Sequence, residues 1–252
     1  MDISEFSRLN DKANYERHPW ETSRVNVLKH LLKNFKLKLP VQRIVDIGGG
    51  DAFVINSLHL DNFAAQYFAI DIAYTPDVIN QLKVNYINSP ITYLNSLEEY
   101  IDEYNDNVPT LFLCMDVLEH LENEGVILSY LTSNPDNYYF FSVPAFQSVF
   151  SSHDVLLGHY RRYTLTGFKK MLSLHGFNIK NKGYYFTSLL FLRWLEKMLK
   201  KDKKESIDNW DGSIQKTKLI NTILTLDFKT TTLLGKMGIT IPGLSCYCLC
   251  KK

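Results

Sequence analysis

Residues 43–54 read RIVDIGGGDAFV, an apolar β-rich run that ends in three consecutive glycines. That pattern describes a strand entering a tight turn whose bare backbone can approach a nucleotide closely. The same kind of run recurs downstream at "YFAIDIA" (67–73), "ITYLNS" (91–96), "TLFLCMDV" (110–117), "NYYFFSVPA" (137–145) and "FNIKNKGYYF" (177–186). Helical periodicity fills the gaps, at "PDVINQLKV" with Pro76 in its first turn, at "SLEEYIDEY" and at "EHLENEGVILSYLTS". "TLTGFKKMLSLHGF" continues the series, with Thr164 or Thr166 as N-cap and Gly176 as stop. Nearly continuous apolar strands alternating with helices predict an α/β fold, a parallel sheet covered on both faces. Ligands of such sheets bind beyond the carboxyl ends of the strands, so the residues just after each strand are the ones to read.

Two regions lie outside the alternation. "HPWETSRVNVLKHLLKNF" (18–35) is an amphipathic helix ahead of the first strand. After residue 186, the apolar helix "TSLLFLRWLEKMLKK" leads through the charged "DKKESIDNWDGS" to a second helical stretch and a last strand, "GLSCYCLCKK". The expected organisation is one domain over 1–252. It has a helical cap (1–40), a cofactor-binding core (41–186), a helical insertion or lid (187–240) and the last strand (241–252).

Bulk composition narrows the function. Lys+Arg 28 against Asp+Glu 27 leaves a net charge of +1, without the basic excess of a nucleic-acid binder. No apolar run reaches membrane-span length and the N-terminal residues lack a signal-peptide core, so cytoplasmic residence is the expectation. Cys246, Cys248 and Cys250 alternate on one face of a strand, unlike the paired cysteines of zinc sites, and read with Cys114 as reduced structural thiols.

The glycine turn does not fit a dinucleotide. Gly48, Gly49 and Gly50 supply the turn, but Phe53 stands where the third glycine of G-x-G-x-x-G belongs. Asp46 and Asp51 also flank the place a pyrophosphate would take, and like charges weaken its binding. A nucleoside that carries positive charge suits the turn better. S-adenosylmethionine, with its sulfonium, ammonium and ribose, meets that description. Asp71 ends the second strand at the spacing of a ribose-binding acid, Ile72 can pack on adenine, and Met115 and Asp116 follow the fourth strand at the same rim.

"VDIGGGD", "AIDIA" and "LCMDVLEHLEN" resemble the successive signature segments of class I S-adenosylmethionine-dependent methyltransferases. "SVPAFQSVFSSHDVLLGHYRRYTLTGFKKMLSLHGF" and "RHPWETSR" are similar to a bacterial branch acting on small molecules or glycans. The resemblance covers nearly the whole chain, weakly after Tyr185. It implies a Rossmann-like, seven-stranded sheet whose last strand is antiparallel. It also implies that Asp46, Gly48, Gly50, Asp71, Met115 and Asp116 line the cofactor. Arg24 becomes a candidate partner for the cofactor carboxylate, the alternative being a solvated helix face. Ala52 replaces a glycine common in the family, which reads as a mild change.

Acceptor chemistry is expected after strands four and five, where Glu119, His120, His153, Asp154, His159, Arg161, Arg162 and Tyr163 gather. His153 with Asp154 is the preferred base pair, with His120 as a further catalytic candidate. His159, Arg161, Arg162 and Tyr163 are candidates for acceptor binding. The alternative is a loop-folding role, with His153 capping backbone and the arginines paired to acids. A metal-assisted version would use Asp116, Glu119 and His120 with His153 or His159; the expectation is that no metal is used. The expected activity is O-methylation of a small molecule or lipid-linked glycan, and a non-catalytic cofactor binder is the competing class. Residues 187–201 join an apolar face to a lysine-rich end, which suits either a lid or dimer element or a peripheral membrane contact.

Overall fold

In the computed structural model, which describes residues 17–35, 37–104, 106–131, 134–199 and 213–252, the alternation forms one seven-stranded sheet. The strands are β1 (Val41–Ile47), β2 (Ala64–Ile70), β3 (Ile91–Leu94), β4 (Thr110–Met115), β5 (Tyr138–Pro144), β6 (Asn178–Tyr185) and β7 (Ser245–Lys251). Their order is β3-β2-β1-β4-β5-β7-β6. β1 to β5 are parallel, while β7 inserts antiparallel between β5 and β6. The order reverses between β1 and β4, which fixes the crevice at their carboxyl ends.

Period-two alternation divides the strand side chains between two cores. Ile44, Leu113, Phe140 and Leu249 face one side and pack with α1 (Pro19–Asn34), α2 (Phe53–Leu60), α3 (Pro76–Asn85) and α9 (Ile214–Lys236). Val45, Phe112, Phe141 and the thiols of Cys114, Cys246, Cys248 and Cys250 face the other. There they meet α4 (Leu97–Glu103), α5 (Gly125–Tyr130) and α7 (Leu165–Leu174). All four cysteines are free and buried, and burial pushes the Cys248 thiol up to about 12. α6 (Ser152–Leu156) and α8 (Thr187–Met198) complete the helices named here.

Local chemistry sets several helix starts. Pro19 and Pro76 occupy first turns, Thr75 and Ser96 cap α3 and α4, and Thr164 rather than Thr166 caps α7 by accepting from Gly167 N at 3.1 Å. Gly176 follows α7 at φ 86°, in keeping with its expected role as a stop. The helix read over "EHLENEGVILSYLTS" is broken instead. A 3-10 turn at Leu118–His120 is followed by the short α5, because Asn123 Oδ1 accepts the Gly125 N–H at 2.9 Å and closes a local turn. Residues 132–133 and the charged stretch 200–212 lie outside the described residues. Among the described residues, no helix is long and apolar enough to cross a membrane.

Ala52 is not the mild change its size suggests. It is fully buried at the start of α2 with φ 60°, a left-handed conformation that costs an L-residue about 1–2 kcal/mol. Gly243 marks another tight place, where the chain passes the backbone of Tyr185 on its way into β7. A Cβ on Gly243 would overlap the Tyr185 carbonyl oxygen, which a rotamer change cannot relieve. Gly243→Ala should therefore cost about 1–3 kcal/mol, the range for overpacking. Urea unfolding reads this directly, and an unchanged midpoint would contradict the close approach.

Candidate active site

A cleft of about 700 Å³ opens at the carboxyl ends of the strands, along the β1/β4 reversal. Its size lies within the ordinary range for small-molecule sites. One end is built on the glycine turn. Gly48 and Gly50 take φ 74° and 51°, and a side chain on Gly48 would collide with Val117 from the β4 loop. The turn is held from the next strand: Asp71 Oδ2 accepts the Gly50 N–H and Oδ1 accepts the Ala73 N–H, both at 3.0 Å.

Carboxylates dominate this end. Asp46, Asp51, Asp71 and Asp116 all line the cleft. Burial pushes the Asp46 carboxyl up to about 7; Arg24 opposes the rise, and Asp71 and Asp51 add to it. Asp71 is likewise raised by burial, against the two backbone donors. Arg24 pairs with Asp116 and stacks over Trp20 at 4.7 Å, so it lines the cleft as an ion-pair partner rather than on a solvated helix face. Asp116 itself adopts φ 55°, with its N–H donating to Ser142 O at 2.9 Å. Met115 lines the same wall, and Ile72 stands 87% exposed at the rim.

Arg17 escaped the sequence reading although it opens the quoted "RHPWETSR". It pairs with Asp51, bonds Glu21 at 2.7 Å and lies 3.8 Å over the Phe53 ring. Phe53, at the place of the missing glycine, thus forms part of the wall. The signal available was an arginine seven residues before Arg24, on the approach to the same helix.

The other end carries the histidines. Asp154 is fully buried and does not pair with His153, as the sequence reading expected. Its Oδ1 accepts from His159 Nδ1 at 3.0 Å and from Arg162 Nε at 2.7 Å, while Oδ2 accepts the Ser151 N–H at 2.9 Å and caps α6. Neighbours on a helix point about 100° apart, so His153 cannot share the partners that reach Asp154 across the following turn. Burial alone would raise the Asp154 carboxyl; its hydrogen bonds outweigh that and hold it well below the usual carboxylate range. His153 and His159 both line the cleft.

Two acceptor-binding candidates sit elsewhere. Arg161 bonds Glu124 Oε1 and Glu122 O, both at 2.8 Å, and Tyr163 is buried with its hydroxyl donating to Glu124 Oε1 at 2.7 Å. Neither lines the cleft, because both are spent tying this loop to the one after β4. Arg162 does line it, anchored by Asp154.

Behind this end lies Glu119, 0% exposed, with no hydrogen-bond partner among the described residues at either carboxyl oxygen. Burial, reinforced by the Asp116 charge, raises its carboxyl far above the usual range. One ligand atom each from Glu119, His120 and His159 fall within 4.8 Å of one another, and the two imidazoles meet edge to face at 4.6 Å. Of the metal-assisted set read from sequence, Asp116 and His153 are not in this group.

No family model and no curated protein matches the sequence. Solved structures do share the fold. The methyltransferase domain of bacterial CtHen1 has a TM-score of 0.54 at 14% identity, over 92% of this chain and 99% of that one. Haemonchus contortus phosphoethanolamine N-methyltransferase 2, in complex with S-adenosyl-L-methionine, gives 0.54 at 15% identity over 90% and 52%. Magnesium protoporphyrin IX methyltransferase from Synechocystis PCC 6803, with bound SAH, gives 0.53 at 16% over 72% and 86%. At these identities the likeness is one of fold: a seven-stranded, mostly parallel sheet with one antiparallel strand, flanked by helices.

The raised Asp46 carboxyl has a pH signature. Stability that depends on its staying neutral is complete below the unfolded pKa and is lost as pH rises through about 7. Asp46→Asn does not titrate, so relative to the unsubstituted protein it should gain on the order of 3–4 kcal/mol between pH 4 and pH 8. Denaturant unfolding across that window measures the difference, and a difference independent of pH would refute the burial argument.

Proposed function

We propose that the protein is an S-adenosylmethionine-dependent methyltransferase that O-methylates a small molecule or a lipid-linked glycan. The observation that carries the reading is a cleft with an acidic end, only partly compensated at Asp46, and a histidine end. Asp46, Asp51 and Asp71 gather around a glycine turn whose backbone is open. The cost of burying these carboxylates is offset by a cation, and Asp71 is the proposed acceptor for the ribose hydroxyls. The cofactor, when bound, supplies a methyl group activated by its sulfonium. Gly48, Gly49, Gly50, Ile72, Met115 and Asp116 are the further residues proposed to hold it, with Arg24 and Arg17 fixing two of the acids.

At the other end the chain's task is to orient a hydroxyl and accept its proton. His159 fits better than His153. An ionised Asp154 fixes the Nδ1–H tautomer of His159 and leaves Nε2 as the proton acceptor. Asp154 is then a positioning residue. Arg162, held by the same carboxylate, is the proposed acceptor-binding cation.

A second reading is favoured by Glu119, His120 and His159, whose ligand atoms converge and whose buried carboxyl has no hydrogen-bond partner among the described residues. Two imidazoles and a carboxylate suit a divalent cation, which would orient the acceptor oxygen. In that case the three residues act as ligands and His159 is not the base.

Calorimetry should show binding of S-adenosylmethionine and its demethylated product, and no comparable affinity for NAD; tighter NAD binding would reject the proposal. Affinity for the cationic cofactor should rise with pH through about 7, as Asp46 ionises. Asp71→Ala should weaken binding by roughly 1–3 kcal/mol.

Transfer of a labelled methyl group to a panel of hydroxylated small molecules and lipid-linked sugars tests the chemistry. His159→Ala should lower turnover by roughly 10²–10⁴-fold with cofactor affinity unchanged, while His153→Ala keeps most of it. A larger loss from His153→Ala would return the base to that position. Loss of turnover on chelation, restored by a divalent cation, would select the metal reading, and cofactor binding with no transfer to any acceptor would leave a binder only.

A further inference from the structure

Twelve of the twenty-two exposed large apolar side chains of the described residues fall between 191 and 239, on α8, α9 and the turn that follows. Exposed apolar surface on that scale marks a docking face. The orientation of both helices is informative. α8 turns its polar side inward: Lys197 Nζ donates to Ser148 O at 2.7 Å, and Arg193 lines the cleft. Phe191, Trp194, Leu195 and Met198, spaced i, i+3, i+4 and i+7, form a stripe on the solvent side, and α8 has no buried residue.

α9 has two apolar faces. Ile220, Leu224 and Phe228 pack into the core shared with α1. At about 100° per residue, Leu219, Ile223, Leu226 and Leu233 fall on the opposite side, and all four are exposed. Lys218, Lys229 and Lys236 run along one edge of that outer stripe and Lys216 along the other. The helices are tied together by Ser188, whose N–H and hydroxyl donate to Asp227 at 2.9 and 2.7 Å.

Charge selects the occupant. α8 and α9 hold six Lys/Arg against two Asp/Glu, a net +4 in a chain whose total is +1. Asp227, Lys197 and Arg193 are turned inward and Arg193 also pairs with Glu196, which leaves Lys216, Lys218, Lys229 and Lys236 as the +4 of the outer face. A second copy of the chain, meeting this face in an isologous dimer, would bring +4 against +4. An apolar stripe edged by lysines is instead complementary to an anionic lipid surface, into which the apolar side chains insert while the ammonium groups remain at the headgroups.

We propose that the outer face of α8 and α9 docks the protein on an anionic bilayer. Because α8 also borders the cleft through Leu189 and Arg193, docking sets the cleft beside the headgroup layer. That placement matters for a lipid-linked acceptor only if the methyltransferase reading holds; the docking does not depend on it.

Flotation of the full chain with phosphatidylcholine vesicles, with and without phosphatidylglycerol, is the test. The protein should float with phosphatidylglycerol-containing vesicles, release as salt is raised, and remain behind with phosphatidylcholine alone. Phe191→Ser with Trp194→Ser should lower the apparent partition by about tenfold or more, with melting temperature and binding of the demethylated cofactor retained. Lys218→Glu with Lys229→Glu supplies a second variant, with the same loss expected. Equal binding to neutral vesicles would overturn the anionic assignment. No vesicle binding would overturn the proposal, as would a dimer in solution that the Phe191/Trp194 variant dissociates while vesicles remain unbound. Flotation needs no acceptor, so its failure and a failure of methyl transfer are read separately.

Discussion

The burial of carboxylates at the end of β1 and β2 is the constraint around which the rest of the site is arranged. Asp46, Asp51 and Asp71 are all buried, and water is largely excluded from them. The chain meets the difficulty in three ways: backbone N–H groups donate to Asp71, Arg17 pairs with Asp51, and Arg24 lies close enough to Asp46 to oppose its rise. Both arginines come from the approach to, or the body of, α1, so the N-terminal helix is part of the electrostatics of the glycine turn. The compensation is incomplete at Asp46, whose carboxyl stays raised to about 7 although Arg24 opposes the rise. Buried acids whose carboxyls are raised in this way suit a ligand bearing positive charge.

The opposite end follows another logic. Asp154 is as deeply buried as any of those acids, yet its hydrogen bonds more than offset the cost of burial. One carboxylate caps α6, orients His159 and anchors Arg162, so loop shape and side-chain placement have a common origin. Glu119 lies between these regimes, carried toward its neutral form by burial and then by the Asp116 charge, with no side-chain partner among the described residues. The cleft therefore grades from acids that gain from a cation, through one inclined to protonate, to one fully satisfied.

Much of the fold was legible because its determinants are local. The strands announce themselves as apolar runs, and Pro19, Pro76, Thr164 and Gly176 sit at helix boundaries for reasons confined to a few residues. The broken helix after β4 was also local, but its signal was the Asn123 side chain competing for the Gly125 N–H, which periodicity does not register. Site pairings were harder. Arg24 and Asp116 are separated by 92 positions and meet only through tertiary packing. His153 and Asp154 are adjacent, and adjacency on a helix separates side chains rather than joining them. Arg161 carries the same chemistry as Arg162, and which of them faces the cleft depends on Glu124, an acid from another loop that binds Arg161 and Tyr163.

The antiparallel insertion of β7 bears on how the molecule assembles. β5 supplies the centre of both cores through Phe140 and Phe141, yet Phe140 finds its ladder partner at Leu249 and Phe141 at Cys248. More than one hundred residues, including α8 and α9, intervene. Pairings this remote in sequence slow folding, since chain entropy must be given up before the contacts are gained. Until β7 arrives, β5 remains an open edge with aromatic side chains on both faces, the kind of surface that joins other chains. The strand that completes the sheet thus also determines how long the folding chain remains open to aggregation.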